Sequence, residues 1–372
     1  MKLHLPTVLL TVAISAMSFA AATDYNFKSD QKLGDLTDVG VIEVLGSYVE
    51  VDSVNGGEGV TLYAYSQSDT YTPGGPVPGV TTNYPATLKV NSNLVLSYAQ
   101  AEGLSSSNVV SIIADDVKST GKLTFSDVKL QALNGNVSVA GKRYDDGFIA
   151  RSSLTNTDLI ADNGSVNIGA YLTMEGGNIY AADSVNITSA TVNVNNLTAQ
   201  NVNINEKGVL NIGNGGAKSI GDIARVDVGE IAVGSGASLG INGAVLVLNE
   251  GSSITFAEGA KLTAFNNVSF EFIVDADNTT GSYSFDVFAG TENLTDGGLA
   301  IIESLEQAVA AGEIDITLKS MNAEGELVDL DTGSSTVTFT DGTLSISAVP
   351  EPTTATLSLL ALAALAARRR RH

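Results

Sequence analysis

Short apolar–polar–apolar triplets recur through residues 94–256 and constrain the possible folds of this chain more than any other feature. Typical examples are Val166-Asn167-Ile168, Val185-Asn186-Ile187, Val202-Asn203-Ile204 and Leu210-Asn211-Ile212. Because successive side chains of a strand point to opposite faces, each triplet can bury two aliphatic side chains and expose one polar one. Turns that contain Gly or Asn separate the triplets, so this part of the chain reads as many strands of three to five residues.

Short strands in such number are typical of the coils of a parallel β-helix, in which stacked coils bury one continuous core. We therefore predict an all-β fold, a right-handed parallel β-helix or solenoid, with outward Asn, Ser and Thr side chains in solvent. The spacing of the triplets is irregular, and an antiparallel β-sandwich or barrel is the alternative.

The segments on either side of the triplets predict smaller β units. In residues 23–93, Asn55-Gly56-Gly57 indicates a hairpin turn between two alternating runs, and a Gly- and Pro-rich loop follows at residues 71–85. In residues 266–347, residues 277–281 are expected to join two alternating runs as a hairpin. Asp341-Gly342 predicts a type I′ turn in a final hairpin. Helical spacing predicts one helix that ends at Gly312, from Ile301, Ile302, Leu305, Ala308 and Val309. This C-terminal β and α unit would cap the solenoid.

Composition excludes several classes of chemistry. The chain has no cysteine, and its two histidines, His4 and His372, lie at its extreme ends. Thiol catalysis, zinc–thiolate sites and catalytic triads that use histidine are therefore excluded for the body. Neither a cofactor nor a bound metal is expected.

Charge argues against nucleic acid as a partner. The chain has 19 basic and 41 acidic residues. Without Lys2, Glu351 and the four arginines 368–371, 14 basic and 40 acidic residues remain, a formal charge of −26 for the body. Phosphate binding needs a basic surface instead.

Several residue groups could bind a ligand, and each also has a simpler explanation. The densest charged cluster within the triplet region could form a carbohydrate site or an exposed loop between coils; it consists of Arg143, Tyr144, Asp145, Asp146 and Arg151. A carbohydrate site would suit a lyase or glycosidase, but we predict the exposed loop.

Other candidates are explained more simply still. Asp115-Asp116 and Asp329-Leu330-Asp331 offer hard oxygen ligands for calcium but lie in no calcium-binding motif, so we interpret them as surface acids and turn caps. Four tyrosines could stack on sugars, although packing on a β surface is the simpler explanation: Tyr63, Tyr65, Tyr71 and Tyr84. The Asn-x-Ser/Thr sequences at Asn136, Asn186 and Asn267 are interpreted as by-products of the Asn-rich strands.

The first residues have the layout of a secretory signal peptide. Lys2 and His4 precede an apolar stretch at residues 5–19, and small residues follow it. Ala20 and Ala22 fit the A-x-A rule, so cleavage is predicted after Ala22. An uncleaved anchor helix is the alternative.

The last residues combine three elements in a fixed order. Val349, Pro350, Glu351 and Pro352 come first, and an apolar run of 14 residues, 354–367, follows. Arg368, Arg369, Arg370 and Arg371 end the segment on what would be the cytoplasmic side. The run is shorter than the roughly 17–25 residues of an ordinary spanning helix. A buried or amphipathic C-terminal helix is the alternative to a membrane segment.

This tail resembles the PEP-CTERM sorting signal of Gram-negative bacteria. The resemblance implies that Val349, Pro350, Glu351 and Pro352 are recognised by exosortase, a membrane-embedded protease. It also implies that the apolar run lies in the membrane and that the arginines form a cytoplasmic stop. The family is associated with extracellular polysaccharide and biofilm.

These features together predict a non-enzymatic, exported surface or matrix protein without catalytic residues, with a structural or adhesive role. Its partners would be the Sec translocon, exosortase, the membrane through the C-terminal segment, and extracellular polysaccharide. A surface carbohydrate-active enzyme, a lyase or glycosidase, is the alternative. The predicted units are a signal peptide (1–22), an N-terminal β region (23–93), a β-helix body (94–265), a C-terminal cap (266–347) and the sorting signal (348–372).

Overall fold

The computed structural model describes residues 22–71, 80–105, 108–213, 223–274, 282–321, 326–330 and 335–347. This part of the chain is built from strands and contains one α-helix, so the prediction of an all-β fold is confirmed. The predicted signal peptide and the predicted C-terminal membrane segment lie outside the described residues.

The strands follow one another at short intervals. The first twelve are β1 (Thr23–Phe27), β2 (Gln31–Leu33), β3 (Val39–Leu45), β4 (Tyr48–Val51), β5 (Val60–Tyr65), β6 (Gln67–Tyr71), β7 (Val80–Tyr84), β8 (Thr87–Val90), β9 (Leu94–Glu102), β10 (Val110–Ala114), β11 (Val117–Ser126) and β12 (Val128–Ala132). The next twelve are β13 (Val137–Val139), β14 (Lys142–Arg143), β15 (Ile149–Ala150), β16 (Ser152–Thr155), β17 (Asp158–Ala161), β18 (Val166–Ile168), β19 (Leu172–Glu175), β20 (Asn178–Ala181), β21 (Ser184–Thr188), β22 (Thr191–Val194), β23 (Asn196–Asn205) and β24 (Val209–Ile212). The rest are β25 (Ala224–Val233), β26 (Ser238–Asn249), β27 (Ser253–Phe256), β28 (Lys261–Val274), β29 (Ser282–Asp286), β30 (Phe288–Ala289), the helix α1 (Asp296–Ala310), β31 (Ile316–Met321), β32 (Leu327–Asp329), β33 (Thr336–Thr340) and β34 (Thr343–Ser347).

Most strands belong to three parallel ladders. Ladder A joins β1, β3, β5, the ends of β9 and β11, β16, β19, β22, β24, and the starts of β26 and β28. Ladder B joins β2, β4, β8, β10, β12, β17, β20, the starts of β23 and β25, the ends of β26 and β28, and β31. Ladder C joins the starts of β9 and β11, β13, β18, β21, the ends of β23 and β25, β27 and β30.

The chain visits the ladders in the order A, B, C, and we call one such passage a coil. Met174 pairs with Val192 and Val192 with Leu210, so these coils take 18 residues each. Longer coils carry insertions, such as the hairpins β6–β7 and β14–β15.

The register of the ladders aligns aliphatic side chains into continuous inner rows. Six successive partners of ladder B are at most 1% exposed: Leu130, Leu159, Ile179, Leu197, Val226 and Leu246. At the C-terminal end, phenylalanines replace the aliphatic residues of the core. The ring centres of Phe272 and Phe285 lie 4.0 Å apart, and those of Phe265 and Phe288 lie 5.1 Å apart. One core therefore runs through all the coils.

The outward asparagines are half-buried and bonded to one another, so the prediction that they are solvated is wrong for three rows. Asn186 Nδ2 donates to Asn167 Oδ1, and Asn203 Nδ2 donates to Asn186 Oδ1, both at 2.9 Å. Two further rows are equivalent. One joins Glu175, Asn193 and Asn211 in ladder A, and the other joins Asp158, Asn178 and Asn196, the first residues of three ladder B strands. Parallel in-register pairing is the reason, because it places identical amides one coil apart.

We expect Asn186→Ala to lower the free energy of unfolding by roughly 1–2 kcal/mol, because it removes the hydrogen bonds to Asn167 Oδ1 and from Asn203 Nδ2. Asn266→Ala is the matched control, since its exposed side chain makes no hydrogen bond among the described residues. Urea unfolding of both variants measures the difference. Equal effects of the two substitutions would show that the amide row contributes nothing to stability.

Two expected hairpins are wrong. The Gly-rich turn at residues 55–57 joins β4 to β5, but β4 lies in ladder B and β5 in ladder A. Likewise β28 pairs in parallel with β31, while β29 pairs with β34. Alternation reveals a strand but not its partner, and here stacking of the apolar rows selects the partner one coil away.

The C-terminal unit contains the helix and the final hairpin as predicted. Helix α1 packs on β28 and β33, and Gly312 follows it with φ +71°. Strands β33 and β34 pair antiparallel across Asp341 and Gly342, whose positive φ values fit a type I′ turn. Across the described ranges, no helix has the length and apolar character to cross a membrane.

Candidate functional site

The predicted routing residues have no described geometry. Val349, Pro350, Glu351, Pro352, the four terminal arginines and Ala20 lie outside the described residues. Ala22 is described, and it is exposed immediately before β1. The predicted cleavage after Ala22 therefore stays a prediction, and it would place the new N-terminus at the first strand of ladder A.

The charged cluster around Arg143 forms an exposed hairpin inserted between coils, as predicted. Strands β14 and β15 pair only with each other, and Arg143, Asp145 and Asp146 are exposed. Asp146 Oδ1 accepts a hydrogen bond from the Phe148 amide at 2.9 Å, and Lys142 Nζ lies 5.0 Å from the centre of the Tyr144 ring. These side chains stabilise the hairpin itself.

The described candidate calcium ligands are turn caps and a surface acid, in agreement with the simpler explanation. Asp115 Oδ1 accepts from Asn134 Nδ2 at 2.7 Å, and Asp116 Oδ1 accepts from the Asn136 amide at 2.8 Å. Asp329 lies 3.8 Å from Lys319 Nζ, and Asp331 is outside the described residues. Within the described ranges, no group of three or more His, Asp or Glu side chains could hold a metal ion.

The candidate tyrosines whose side chains are described do not form one platform. Tyr63 packs against Tyr98 on the outer surface of ladder A, with ring centres 5.9 Å apart, and Tyr65 is also half-buried there. Tyr84 is exposed on the β6–β7 hairpin, and the structure gives no description of the Tyr71 side chain.

A charged cluster that the sequence did not indicate lies on the outer face of ladder B near its C-terminal end. Arg225 and Asp227 project from β25, Glu271 from β28 and Lys319 from β31. The guanidinium of Arg225 donates to both oxygens of Glu271, at 2.9 and 3.3 Å, and Lys319 Nζ lies 3.1 Å from Glu271 Oε2. Val247 stands between Asp227 and Glu271 in the register and is fully buried.

The two carboxylates of this cluster have opposite electrostatics. Hydrogen bonds from Arg225 outweigh burial and, with those from Lys319, hold the pKa of Glu271 below its ordinary value. Burial raises the pKa of Asp227, although Arg225 opposes that rise. Asp227 accepts no hydrogen bond from the described residues, so it is the carboxyl that remains available to a ligand.

Only the ladder register brings this cluster together. In the sequence, Arg225 and Asp227 alternate with buried Ala224, Val226 and Val228, as on any half-buried strand. Glu271 lies between two phenylalanines, where its charge is unexpected for a strand with a largely buried surface. The unexpected charge of Glu271 could have indicated a site, but it does not identify Arg225 and Lys319 as its partners.

A second charged group occupies the other end of ladder B. Lys32, Glu50 and Lys89 are register partners, and Glu50 Oε1 lies 3.2 Å from Lys32 Nζ and 3.3 Å from Lys89 Nζ. Asn91 Nδ2 also donates to Glu50 Oε1, at 3.0 Å. The hydrogen bond from Asn91, with those from both lysines, lowers the pKa of Glu50 from 4.5 to about 2.

A lowered pKa means that ionised Glu50 favours the folded state, so its contribution is complete above pH 4.5 and is lost as the pH falls toward 2. We expect wild-type protein to be more stable than Glu50→Gln at neutral pH, with a difference that shrinks across this window. Unfolding midpoints from pH 7 to pH 2 measure it, and Glu58→Gln, at an exposed turn, is the control. A difference independent of pH would contradict the assignment.

Comparison with known proteins identifies the C-terminal segment. The sequence model of the PEP-CTERM protein-sorting motif matches residues 348–371. The chain therefore carries this motif, and the prediction made from Pro350, Glu351, Pro352 and the arginines is confirmed. No curated protein and no solved structure matches the chain.

Proposed function

Because the chain carries a PEP-CTERM protein-sorting motif, we propose that it is a non-enzymatic structural or adhesive protein of the extracellular matrix. The motif implies processing by exosortase and export to the cell envelope or surface. That motif is the observation on which the proposal rests. The matrix role goes further and depends on the properties of the body.

The proposed route uses both ends of the chain. The Sec translocon exports the protein through the signal peptide at residues 1–22, which is removed after Ala22. Residues 354–367 then hold the protein transiently in the membrane, with the four arginines on the cytoplasmic side. Exosortase recognises the segment around Pro350, Glu351 and Pro352 and processes it, and the body reaches the surface.

We propose that the body winds as a right-handed parallel β-helix. The repeated order of ladders A, B and C supports this, since parallel strands joined through a crossover connect with right-handed geometry in about 98% of cases. The continuous apolar rows fill the interior, and the bonded asparagine rows stiffen the outside. Such a body suits a rigid spacer or scaffold.

A surface carbohydrate-active enzyme is the second candidate, and the charged cluster of Arg225, Asp227, Glu271 and Lys319 favours it. A glycosidase of the common kind needs two carboxyl groups, one to donate a proton and one to act as base or nucleophile. Glu271 is engaged by two cations and stays ionised, which leaves Asp227 without an evident carboxyl partner. This arrangement supports binding better than turnover.

Mature protein purified from the native host tests the choice between these functions. It is incubated with neutral and acidic polysaccharides and with the matrix polysaccharide of the host, and both retention and product release are measured. Retention without new reducing ends or unsaturated products is the result expected of a structural protein. Turnover that Asp227→Asn abolishes and Asp145→Asn preserves would establish the enzyme instead.

A further inference from the structure

A groove crosses four successive coils beside the charged cluster. It encloses about 310 Å³, and its walls come from β20, β23, β25 and the end of β26. Adjacent parallel strands lie about 4.8 Å apart, so four coils extend the groove about 14 Å across the strands. This shape suits a segment of a linear chain better than a single small molecule.

The floor of the groove is made of small residues, and its walls are polar. Ala182 and Ala199 line the floor beside Gly229, whose Cα lies close to the Gln200 carbonyl of the neighbouring strand, while Tyr180 presents an aromatic ring that is 43% exposed. Small residues at these positions allow a ligand to approach the backbone closely.

The polar side chains of the groove are not bonded to one another, unlike the asparagine rows. Thr198, Gln200, Asp227 and Asn249 make no side-chain hydrogen bond within the described part of the chain. Asp227 is half-buried as well, and a half-buried carboxyl without a donor is costly unless something binds it. Donors and acceptors that converge on one groove indicate a ligand with many hydroxyl groups.

The charge of the groove selects among such ligands. Its charged lining residue is Asp227, and the adjacent cation, Arg225, is already paired with Glu271. With a body charge of −26, an anionic polymer would be repelled. A neutral sugar chain can stack the C–H face of a ring on Tyr180 and bond its hydroxyls to the amides and the carboxyl.

We propose that this groove binds a segment of a neutral polysaccharide, with Tyr180 as the stacking residue and Asp227, Gln200 and Asn249 as its hydrogen-bond partners. The proposal rests on the proposed matrix function and specifies its ligand.

The test is affinity electrophoresis of the mature protein in gels that contain hydroxyethyl cellulose, laminarin, dextran or galactomannan, with carboxymethyl cellulose as the anionic counterpart. We expect retardation by at least one neutral polymer and not by the anionic one. Tyr180→Ala should weaken this binding roughly tenfold, and Asp227→Asn should weaken it too. Tyr48→Ala is the matched control, because Tyr48 is 41% exposed on ladder B outside the groove.

Circular dichroism and melting temperature confirm that each variant is folded. Binding to a neutral polymer that both groove variants retain in full would overturn the groove assignment and leave the matrix function in place. Binding to none of the neutral polymers would also overturn it. Retention of the protein in the matrix of the native host is measured separately, so failure of the proposed function is recognised independently.

Discussion

Replacing Gly177 with alanine is expected to destabilise the body by roughly 3–5 kcal/mol. Gly177 has φ +84°, and a Cβ atom there would lie 2.1 Å from the Thr157 carbonyl oxygen and 2.6 Å from the Thr157 nitrogen. Both atoms belong to the backbone of the preceding coil, which cannot move without breaking the ladders on either side.

Gly147→Ala separates the clash from the backbone strain. Gly147 has φ +85°, but nothing lies within 4 Å of a Cβ atom at that position. Its substitution should therefore cost only the roughly 1–2 kcal/mol of the left-handed conformation. Chemical unfolding and limited proteolysis of the purified mature variants measure the two effects. Equal destabilisation would contradict the close stacking of successive coils at this corner.

Replacing Pro350, Glu351 and Pro352 together with alanine is expected to abolish sorting. Exosortase would lose the segment that we propose it recognises. The precursor should accumulate in the membrane fraction, and no mature form should reach the surface or the medium.

A double substitution of Thr353 and Thr354 by alanine is the control, because it changes the neighbouring positions and keeps Pro350, Glu351 and Pro352. Immunoblots of cell fractions follow both variants in the native host. Normal release of the triple variant would show that the matched motif does not direct this protein.

Local pattern was sufficient to predict much of the fold. Alternation in triplets such as Val166-Asn167-Ile168 and Val185-Asn186-Ile187 correctly placed the aliphatic pair inside, because the two-residue period of a strand is a local property. The final hairpin was predictable for a similar reason, since the turn chemistry of Asp341-Gly342 acts over two residues.

Strand partners and the charged cluster depend on the winding instead. The alternating run at residues 268–274 has no local feature that selects β31 over β29, and the choice follows from stacking Phe270 on Leu246 and Ile316. Arg225, Glu271 and Lys319 are distant in sequence and meet through the same stacking. The charged cluster at residues 143–151 is compact in sequence and was therefore a candidate site, but its strands form only a hairpin with each other.

The most direct test of sorting by exosortase is mass spectrometry of the C-terminal peptide, from the membrane and medium fractions of the native host, with and without its exosortase. We predict a mature form that lacks Arg368, Arg369, Arg370 and Arg371 and that disappears when exosortase is removed. An intact arginine tail confined to the inner membrane in both strains would contradict the account and would make the protein a simple tail-anchored one.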